Sequence, residues 1–184
     1  MFNKFKIKIL KTLILFFKGK LYYARHIGVS IGHNNRIYIS DWGTEPFLIS
    51  IGNNVTITEG VKFITHDGSN WLFKDEKGRR FLYRKITVGS NVFIGVNTII
   101  LPGVTIENNV IVAAGSVVTK SIPSGSIVGG NPAKIIGKYN DLEQKALNEY
   151  VTKTDMKMNL NYKERILKIV DKKMKSFLDE KKKK

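Results

Sequence analysis

Histidine and cysteine side chains often carry out acid–base, nucleophilic or metal chemistry. This chain has three histidines and no cysteine. Without cysteine there can be no disulfide framework, thiolate metal site or cysteine nucleophile. A neutral imidazole is well suited to taking a proton from an attacking hydroxyl near pH 7. The chemistry to be placed is therefore proton transfer by His26, His33 or His66.

The elements that must position these side chains follow from a repeat of six residues. Aliphatic residues recur without a slip at Val88, Ile94, Ile100, Ile106, Val112 and Val118, and the same spacing runs upstream through Ile51, Ile57 and Phe63. A period of six fits neither an α-helix nor a simple alternating hairpin. It predicts short strands joined by tight turns that wind into a solenoid, with each inward aliphatic side chain stacked on its equivalents. Asparagine and glycine in residues 52–54 and 107–109 suit corners with left-handed backbone angles.

The repeats, residues 63–68 (Phe-Ile-Thr-His-Asp-Gly), and residues 112–120 and 122–134, which end in Asn-Pro-Ala-Lys, resemble the hexapeptide-repeat acyltransferase family. The resemblance covers residues 27–136 and is nearest to the sugar and polysaccharide O-acetyltransferases. It implies an all-β solenoid, namely a left-handed parallel β-helix. It also implies a homotrimer and acetyl-CoA as the co-substrate.

His66 ends a hexad where the repeat breaks, and the resemblance places the catalytic base at that break. Asp67 could orient a neighbouring imidazole, contact the acceptor, or simply form a turn. Glu59 is a weaker candidate for holding His66. His26 precedes the first coil and His33 lies in a turn of a weak first repeat, so we expect neither to be functional.

The histidines also bear on a metal site, because γ-carbonic anhydrases share the repeat and bind zinc through three histidines at repeat-related spacing. Here successive histidines are seven and 33 residues apart, and two of them lie outside the regular coils. We therefore expect no metal.

Residues 69–85 leave the repeat directly after His66, and loops of this length on a rigid scaffold usually carry function. Trp71 and nearby aromatic residues offer flat apolar surface that could stack on sugar rings, while Arg79 and Arg80 could bind phosphate or carboxylate. The same aromatic residues could instead pack on a neighbouring subunit. Both interpretations stay open.

For the donor, the resemblance is carried over residue by residue. It implies coenzyme A contacts for Ala114, Thr119 and Lys120, and a contact of Lys134 with the nucleotide phosphates. The backbone N–H of Val96 matches the position that hydrogen-bonds the thioester carbonyl. The pattern departs from the family at Gly137, where a second basic residue is common, and at Val96, where serine is frequent.

The formal net charge of +16 lies mostly outside the repeats. Residues 1–20 hold six Lys and no acid, and residues 138–184 hold 14 basic and 8 acidic residues. A groove-reading protein should show a basic stripe on its folded face, so we expect no nucleic-acid binding.

Three parts follow: a basic amphipathic segment (1–26), the β-helix domain (27–136) with its excursion, and a helical Lys-rich extension (137–184). We expect the first part to cap the open end of the solenoid. Residues 1–20 could also lie on an anionic membrane surface at the same time.

Within the extension, residues 141–150 and 162–178 predict helices, the second with its apolar residues on one side. Lys181–Lys184 predict a solvated, disordered tail.

The sequence therefore predicts a cytoplasmic acetyl-CoA-dependent O-acetyltransferase acting on a saccharide, with His66 as general base in a site between subunits. One alternative is an N-acetyltransferase acting on a nucleotide-linked amino sugar, whose diphosphate would suit the basic loop. A third hypothesis is a catalytically silent trimeric scaffold at the membrane surface.

Overall fold

The hexads form very short strands in the computed structural model, which describes residues 2–173 and 175. The first elements are α1 (Phe2–Phe17), α2 (Gly19–His26), β1 (Ser30–Ile31), β2 (Arg36–Ile37), β3 (Ile49–Ile51), β4 (Thr56–Ile57), β5 (Lys62–Phe63), β6 (Lys74–Asp75) and β7 (Gly78–Arg79). They are followed by β8 (Ile86–Val88), β9 (Val92–Ile94), β10 (Ile99–Ile100), β11 (Thr105–Ile106), β12 (Val110–Val112), β13 (Val117–Val118), β14 (Ser126–Gly129), β15 (Lys134–Lys138), α3 (Tyr139–Glu149) and α4 (Tyr162–Ile169). Two 3₁₀ turns span Pro46–Leu48 and Gly68–Leu72.

The hexad strands belong to three sheets that the chain visits in turn. Sheet A is β1-β3-β8-β11, sheet B is β2-β4-β9-β12-β14-β15, and sheet C is β5-β10-β13. Pairing is parallel throughout except between β14 and β15. Strands β6 and β7 form a separate antiparallel hairpin.

Strand register shows how many residues make one coil. Partners lie 18 residues apart in all three sheets: Val88 with Ile106, Ile94 with Val112, and Ile100 with Val118. Three hexads therefore complete each regular coil. The pairing of Ile51 with Val88 spans 37 residues, so this coil carries 19 extra residues. The pairing of Ile31 with Ile51 spans 20, so the first coil carries two.

Inward side chains fill one continuous core, in which Ile57, Ile94 and Val112 are fully buried. Successive strand residues point to opposite faces, so the residue types on the outer face do not depend on those in the core. On sheet A they are all hydroxyl residues, in register: Ser30, Ser50, Thr87 and Thr105. On sheets B and C they include large apolar residues: Phe93, Ile111, Ile127, Ile99 and Val117. The outer face of sheet A thus differs in chemistry from those of sheets B and C.

In four successive coils, one asparagine turns the chain from sheet A to sheet B. Asn34, Asn54, Asn91 and Asn109 all have φ between 55° and 58°. Each side-chain amide donates to the next, over 2.6 Å from Asn34 to Asn54 and 3.0 Å at the two later steps. The sequence prediction of left-handed corners is confirmed at Asn54 and Asn109. Asparagine suits these corners because it tolerates the left-handed region and can hydrogen-bond its neighbour.

At the N-terminal end, α2 packs on the first coil. Ala24 is fully buried in the core, Lys20 donates to the Tyr38 carbonyl, and Arg25 donates to the carbonyls of Ile31 and Gly32. The α1 helix packs on α2 but leaves apolar residues exposed, namely Ile7, Ile9, Leu10, Leu13, Phe16 and Phe17. Within the described residues, no helix is long and apolar enough to cross a bilayer.

The chain divides into two compact units, Met1–Glu143 and Gln144–Lys184. The prediction of a helix near residues 141–150 is confirmed by α3. The prediction of a helix to Leu178 is wrong over residues 170–173, because α4 ends at Ile169. The Asp171 carboxylate accepts from the Lys173 N–H, a local turn that competes with helix. The predicted Lys181–Lys184 tail lies outside the described residues.

Candidate active site

His66 lies where the chain leaves sheet C for sheet A, at the neck of the excursion of residues 67–85. It forms an isolated antiparallel bridge with Tyr83. Two backbone bonds close the neck: Asp67 N–H to the Leu82 carbonyl at 3.1 Å and Arg84 N–H to the Thr65 carbonyl at 2.8 Å. The backbone that carries the imidazole is therefore held by hydrogen bonds where the excursion begins and ends.

The His66 ring is held by an acidic side chain from the preceding coil. Nδ1 of His66 lies 3.0 Å from Oε2 of Glu45. The same carboxylate oxygen accepts from the Thr65 hydroxyl at 2.6 Å, and the Thr44 hydroxyl is 3.4 Å from Nδ1. The Glu45 side chain is 16% exposed and that of His66 is 41% exposed. The pair is thus shielded at the carboxylate and open at the imidazole.

These contacts set the charge state of Glu45. Burial alone would raise the pKa of its carboxyl group, but hydrogen bonds from Thr65, Thr44 and His66 outweigh burial and hold the pKa below its ordinary value. An ionised carboxylate only accepts hydrogen bonds, so Nδ1 of the neutral imidazole carries the proton. The geometry therefore leaves Nε2 as the basic nitrogen.

Glu45 is positioned by the two-residue insertion in the first coil. Trp42 is 1% exposed and stacks on Phe63 of β5, with ring centroids 5.4 Å apart and nearly parallel. Gly43 has φ +75°, and a Cβ there would lie 3.1 Å from the Phe63 carbonyl oxygen. This buried anchor fixes the short loop that carries Glu45.

Neither of the His66 partners considered from the sequence occupies that place. The Asp67 carboxylate accepts from the backbone N–H and hydroxyl of Ser69, which hold its pKa below the ordinary value. Asp67 therefore forms a turn, one of the three roles considered. Glu59 lies near Tyr38 and Phe93, on another side of the coil. The sequence feature that could have pointed to Glu45 is an acidic residue within residues 42–46, which interrupt the repeat.

A cleft of about 460 Å³ opens beside the imidazole. It brings together three of the predicted residues, His66, Asp67 and Thr119. The rest of its wall is mostly apolar: Ile64, Gly68, Leu82, Leu101 and Pro102. Lys120 follows Thr119 in the chain and is exposed.

Other predicted donor residues lie at a different edge, where the chain passes from sheet B to sheet C. Val96 and Ala114 adjoin there, since the Gly115 N–H donates to the Val96 carbonyl at 2.7 Å. A Cβ on Gly95 would lie 2.5 Å from the Ala114 nitrogen, so only glycine allows this close stacking. Lys134 begins β15 opposite Gly129 and is exposed. Within this single chain, these residues do not line the cleft at His66.

The excursion carries an exposed hairpin. The Arg79 guanidinium lies 5.0 Å from the Trp71 ring and 4.6 Å from that of Phe81. Arg80 is paired with Asp75 across the hairpin. The two arginines considered together from the sequence thus have different surroundings.

The remaining histidines lie far from this chemistry. His26 ends α2, and its ring stacks on that of Tyr22 with centroids 6.3 Å apart. His33 lies in a turn, where its backbone N–H donates to the side-chain oxygen of Asn53. In the part of the chain that the structure describes, no three acidic or histidine side chains cluster closely enough to hold a metal ion.

Comparison with known proteins agrees with the repeat. Residues 85–120 match the hexapeptide repeat of succinyl-transferase. The chain is 48% identical over 151 residues to protein CapG of Staphylococcus aureus, covering 80% of this chain and 86% of CapG. It is 32% identical over 126 residues to the galactoside O-acetyltransferase of Escherichia coli, covering 67% of this chain and 61% of that enzyme.

Among solved structures, the maltose O-acetyltransferase of Clostridium difficile 630 matches with a TM-score of 0.51 and 32% identity, over 60% of this chain and 59% of that one. The chain belongs to the hexapeptide-repeat acyltransferase family, and the predicted resemblance is confirmed. The protein is an acyltransferase.

Proposed function

We propose that this protein transfers an acetyl group from acetyl-CoA to a hydroxyl group of a saccharide, with His66 as the general base. The observation that carries the proposal is the Glu45–His66 pair at 3.0 Å, beside a cleft that also includes Thr119. Relatives named as galactoside and maltose O-acetyltransferases support the acyl group and the class of acceptor.

The chemistry follows from the state of the imidazole. Nε2 of His66 takes the proton of the acceptor hydroxyl as its oxygen attacks the thioester carbonyl, and later returns that proton to the departing thiolate. Glu45 stabilises the imidazolium formed in between, because its carboxylate stays ionised and accepts from Nδ1. The backbone N–H of Val96 supplies a hydrogen bond to the developing oxyanion. Acetyl-CoA supplies the activated acetyl group.

The donor-binding residues suit a long, flexible ligand with a phosphate end. Ala114 and Gly115 are exposed, so small residues leave the backbone of this edge open. Lys120 and Lys134 are exposed, and neither forms an ion pair with any carboxylate among the described residues. We assign the pantetheine arm to Ala114 and Thr119, and the phosphates to Lys134 with Lys120.

We also propose a left-handed coil and a homotrimer with sites shared between subunits. His66 and Val96 lie at opposite edges of sheet C, so one site uses the first residue of one subunit and the second of its neighbour. The apolar outer residues of sheets B and C, such as Phe93 and Ile111, favour burial between subunits, whereas the hydroxyl face of sheet A suits solvent. The division into 1–26, 27–136 and 137–184 stays part of this proposal.

The assembly is tested by sedimentation and by complementation. The protein should sediment near three times its chain mass of 20.9 kDa. Mixed trimers of His66→Ala and Lys134→Glu subunits should regain activity, because some interfaces then carry neither lesion. Fully active monomers would contradict a shared site.

The catalytic proposal is tested by incubating the protein and acetyl-CoA with a panel of saccharides and nucleotide sugars, and measuring free thiol. Thiol release with a neutral or acidic saccharide in the wild type, but not in His66→Ala, is expected. Release confined to nucleotide-linked amino sugars would favour N-acetylation instead. No release with any acceptor would favour the silent scaffold.

For location, we propose a cytoplasmic protein with weak contact to an anionic membrane surface. Residues 1–20 hold six Lys and no acid, and α1 exposes Leu13, Phe16 and Phe17. Co-sedimentation with vesicles containing phosphatidylglycerol, but not with phosphatidylcholine vesicles, is the expected result. Equal recovery with both lipids would contradict the proposal.

A further inference from the structure

A continuous series of ring and guanidinium contacts leads away from His66 along the excursion. The His66 and Tyr83 rings are 5.8 Å apart, and Tyr83 and Phe81 are stacked at 6.3 Å. The Arg79 guanidinium then lies between the rings of Phe81 and Trp71. We call Tyr83, Phe81, Arg79 and Trp71 the aromatic track.

The track is open to solvent. Trp71 is 65% exposed, and Phe81 and Tyr83 are also more than half exposed. The exposed parts of the Trp71, Phe81 and Tyr83 side chains form a row of apolar surface against which linked sugar rings can pack. A surface of this kind suits several linked sugar units rather than one.

Charge on the loop adds a second requirement for the ligand. Residues 69–85 hold six basic residues against two acids. Arg80 is paired with Asp75, whereas the Arg79 guanidinium lies over two rings and forms no ion pair with a described carboxylate. Its planar fork of N–H donors stays available to a planar or tetrahedral anion.

We propose that the aromatic track binds an anionic saccharide, whose acetylated unit lies at His66 and whose next units pack against the exposed parts of Tyr83 and Phe81. A carboxylate or phosphate group on a more distant unit pairs with Arg79. This inference rests on the proposed function, since it names the acceptor class of the same site.

The two tryptophans provide the binding measurement. The chain contains only Trp42, which is 1% exposed, and Trp71, so changes on ligand binding report Trp71. In the free protein, iodide should quench the Trp71 emission. Protection from iodide would show that a neighbouring subunit covers the track, and would overturn the proposal.

Three probes of equal length separate the requirements: hexagalacturonate, maltohexaose 1-phosphate and neutral maltohexaose. Either anionic probe should bind at least tenfold more tightly than maltohexaose, because a charge-assisted pair with Arg79 adds to stacking. The stronger of the two identifies carboxylate or phosphate as the preferred anion. Equal affinity for all three probes would overturn the proposal.

Arg79→Gln should remove the preference for the anionic probe and leave maltohexaose binding within about twofold. Arg80→Gln is the matched control, because it removes the same charge from the next residue but from an existing ion pair. An equal loss in both variants would indicate general charge attraction and contradict the assignment. Retained maltohexaose binding in both variants would show that the loop remains folded.

These titrations need neither acetyl-CoA nor turnover, so they test the acceptor site separately from acetyl transfer. Binding without thiol release would leave the acceptor site standing and reject the proposed acetyl transfer. Thiol release without anion preference would do the reverse.

Discussion

Two edges of the solenoid differ in how regularly the hexapeptide repeat is kept. At the asparagine edge (Asn34, Asn54, Asn91 and Asn109) four successive coils supply the same residue, and each amide donates to the next. At the histidine edge, around His66, two successive coils carry two and 19 extra residues. At the regular edge the asparagine side chains hydrogen-bond to one another, whereas at the interrupted edge different side chains, Glu45 and His66, come into contact.

This difference explains where chemistry can arise in a repeat protein. A ladder of identical residues leaves few polar groups free to meet a substrate. An insertion interrupts the stacking of identical residues, so that Glu45 contacts His66 rather than an equivalent glutamate of the next coil. The comparison predicts large losses of activity at the histidine edge and losses of stability alone at the asparagine edge.

The largest effect is expected from His66→Ala. Removing the general base should lower kcat by roughly 10² to 10⁴, while trimer formation and coenzyme A binding persist. Thiol release under saturating acetyl-CoA measures turnover, and calorimetry measures coenzyme binding. Turnover close to that of the wild type would reject the role of His66.

Glu45→Gln should lower kcat by about 10- to 100-fold with little change in either KM, because the imidazole loses its charged orienting partner. Asp41→Asn is the matched control: Asp41 lies in the same short loop but pairs with Lys62 at 2.6 Å. The control should retain activity within about twofold of the wild type. Similar losses in both variants would indicate that the loop has been disturbed, rather than the pair.

A smaller, several-fold effect is expected at the donor edge. Lys134→Ala should raise the KM for acetyl-CoA and leave kcat unchanged, because it removes an interaction made equally before and during reaction. Lys138→Ala changes an exposed residue of the same strand and should leave KM unchanged. An unaltered KM in Lys134→Ala would make Lys134 an ordinary surface residue.

No effect on activity is expected from Asn91→Ala at temperatures where the variant is folded. It should lower the free energy of unfolding by about 1–3 kcal/mol, because a Cβ side chain without a hydrogen bond is left at φ 58°. Asn91→Gly separates the causes, since glycine tolerates this φ but also loses the amide bonds. Urea unfolding measures all three proteins, and a loss of turnover in the folded variants would break the contrast between the edges.

The sequence by itself determined the period of the fold and the position of the break. Each hexad places one aliphatic residue in the core. The spacing of Ile94, Ile100 and Ile106 therefore indicates the three-sided coil without any information about distant contacts. His66 was identifiable because it ends the last hexad before a long insertion. Left-handed corners were readable for a similar reason, since the backbone preference of Asn54 is local.

Only the tertiary structure decided what surrounds His66. Glu45 lies 21 residues before it, and the contact depends on two inserted residues and on the burial of Trp42 against Phe63. The different states of Arg79 and Arg80 likewise depend on the hairpin that places Asp75 opposite one of them. The hexad pattern repeats along the chain, but such contacts occur once, between segments whose approach is set by side-chain packing. For that reason the break in the repeat that carries His66 could be located from the sequence, and the contact of this histidine with Glu45 could not.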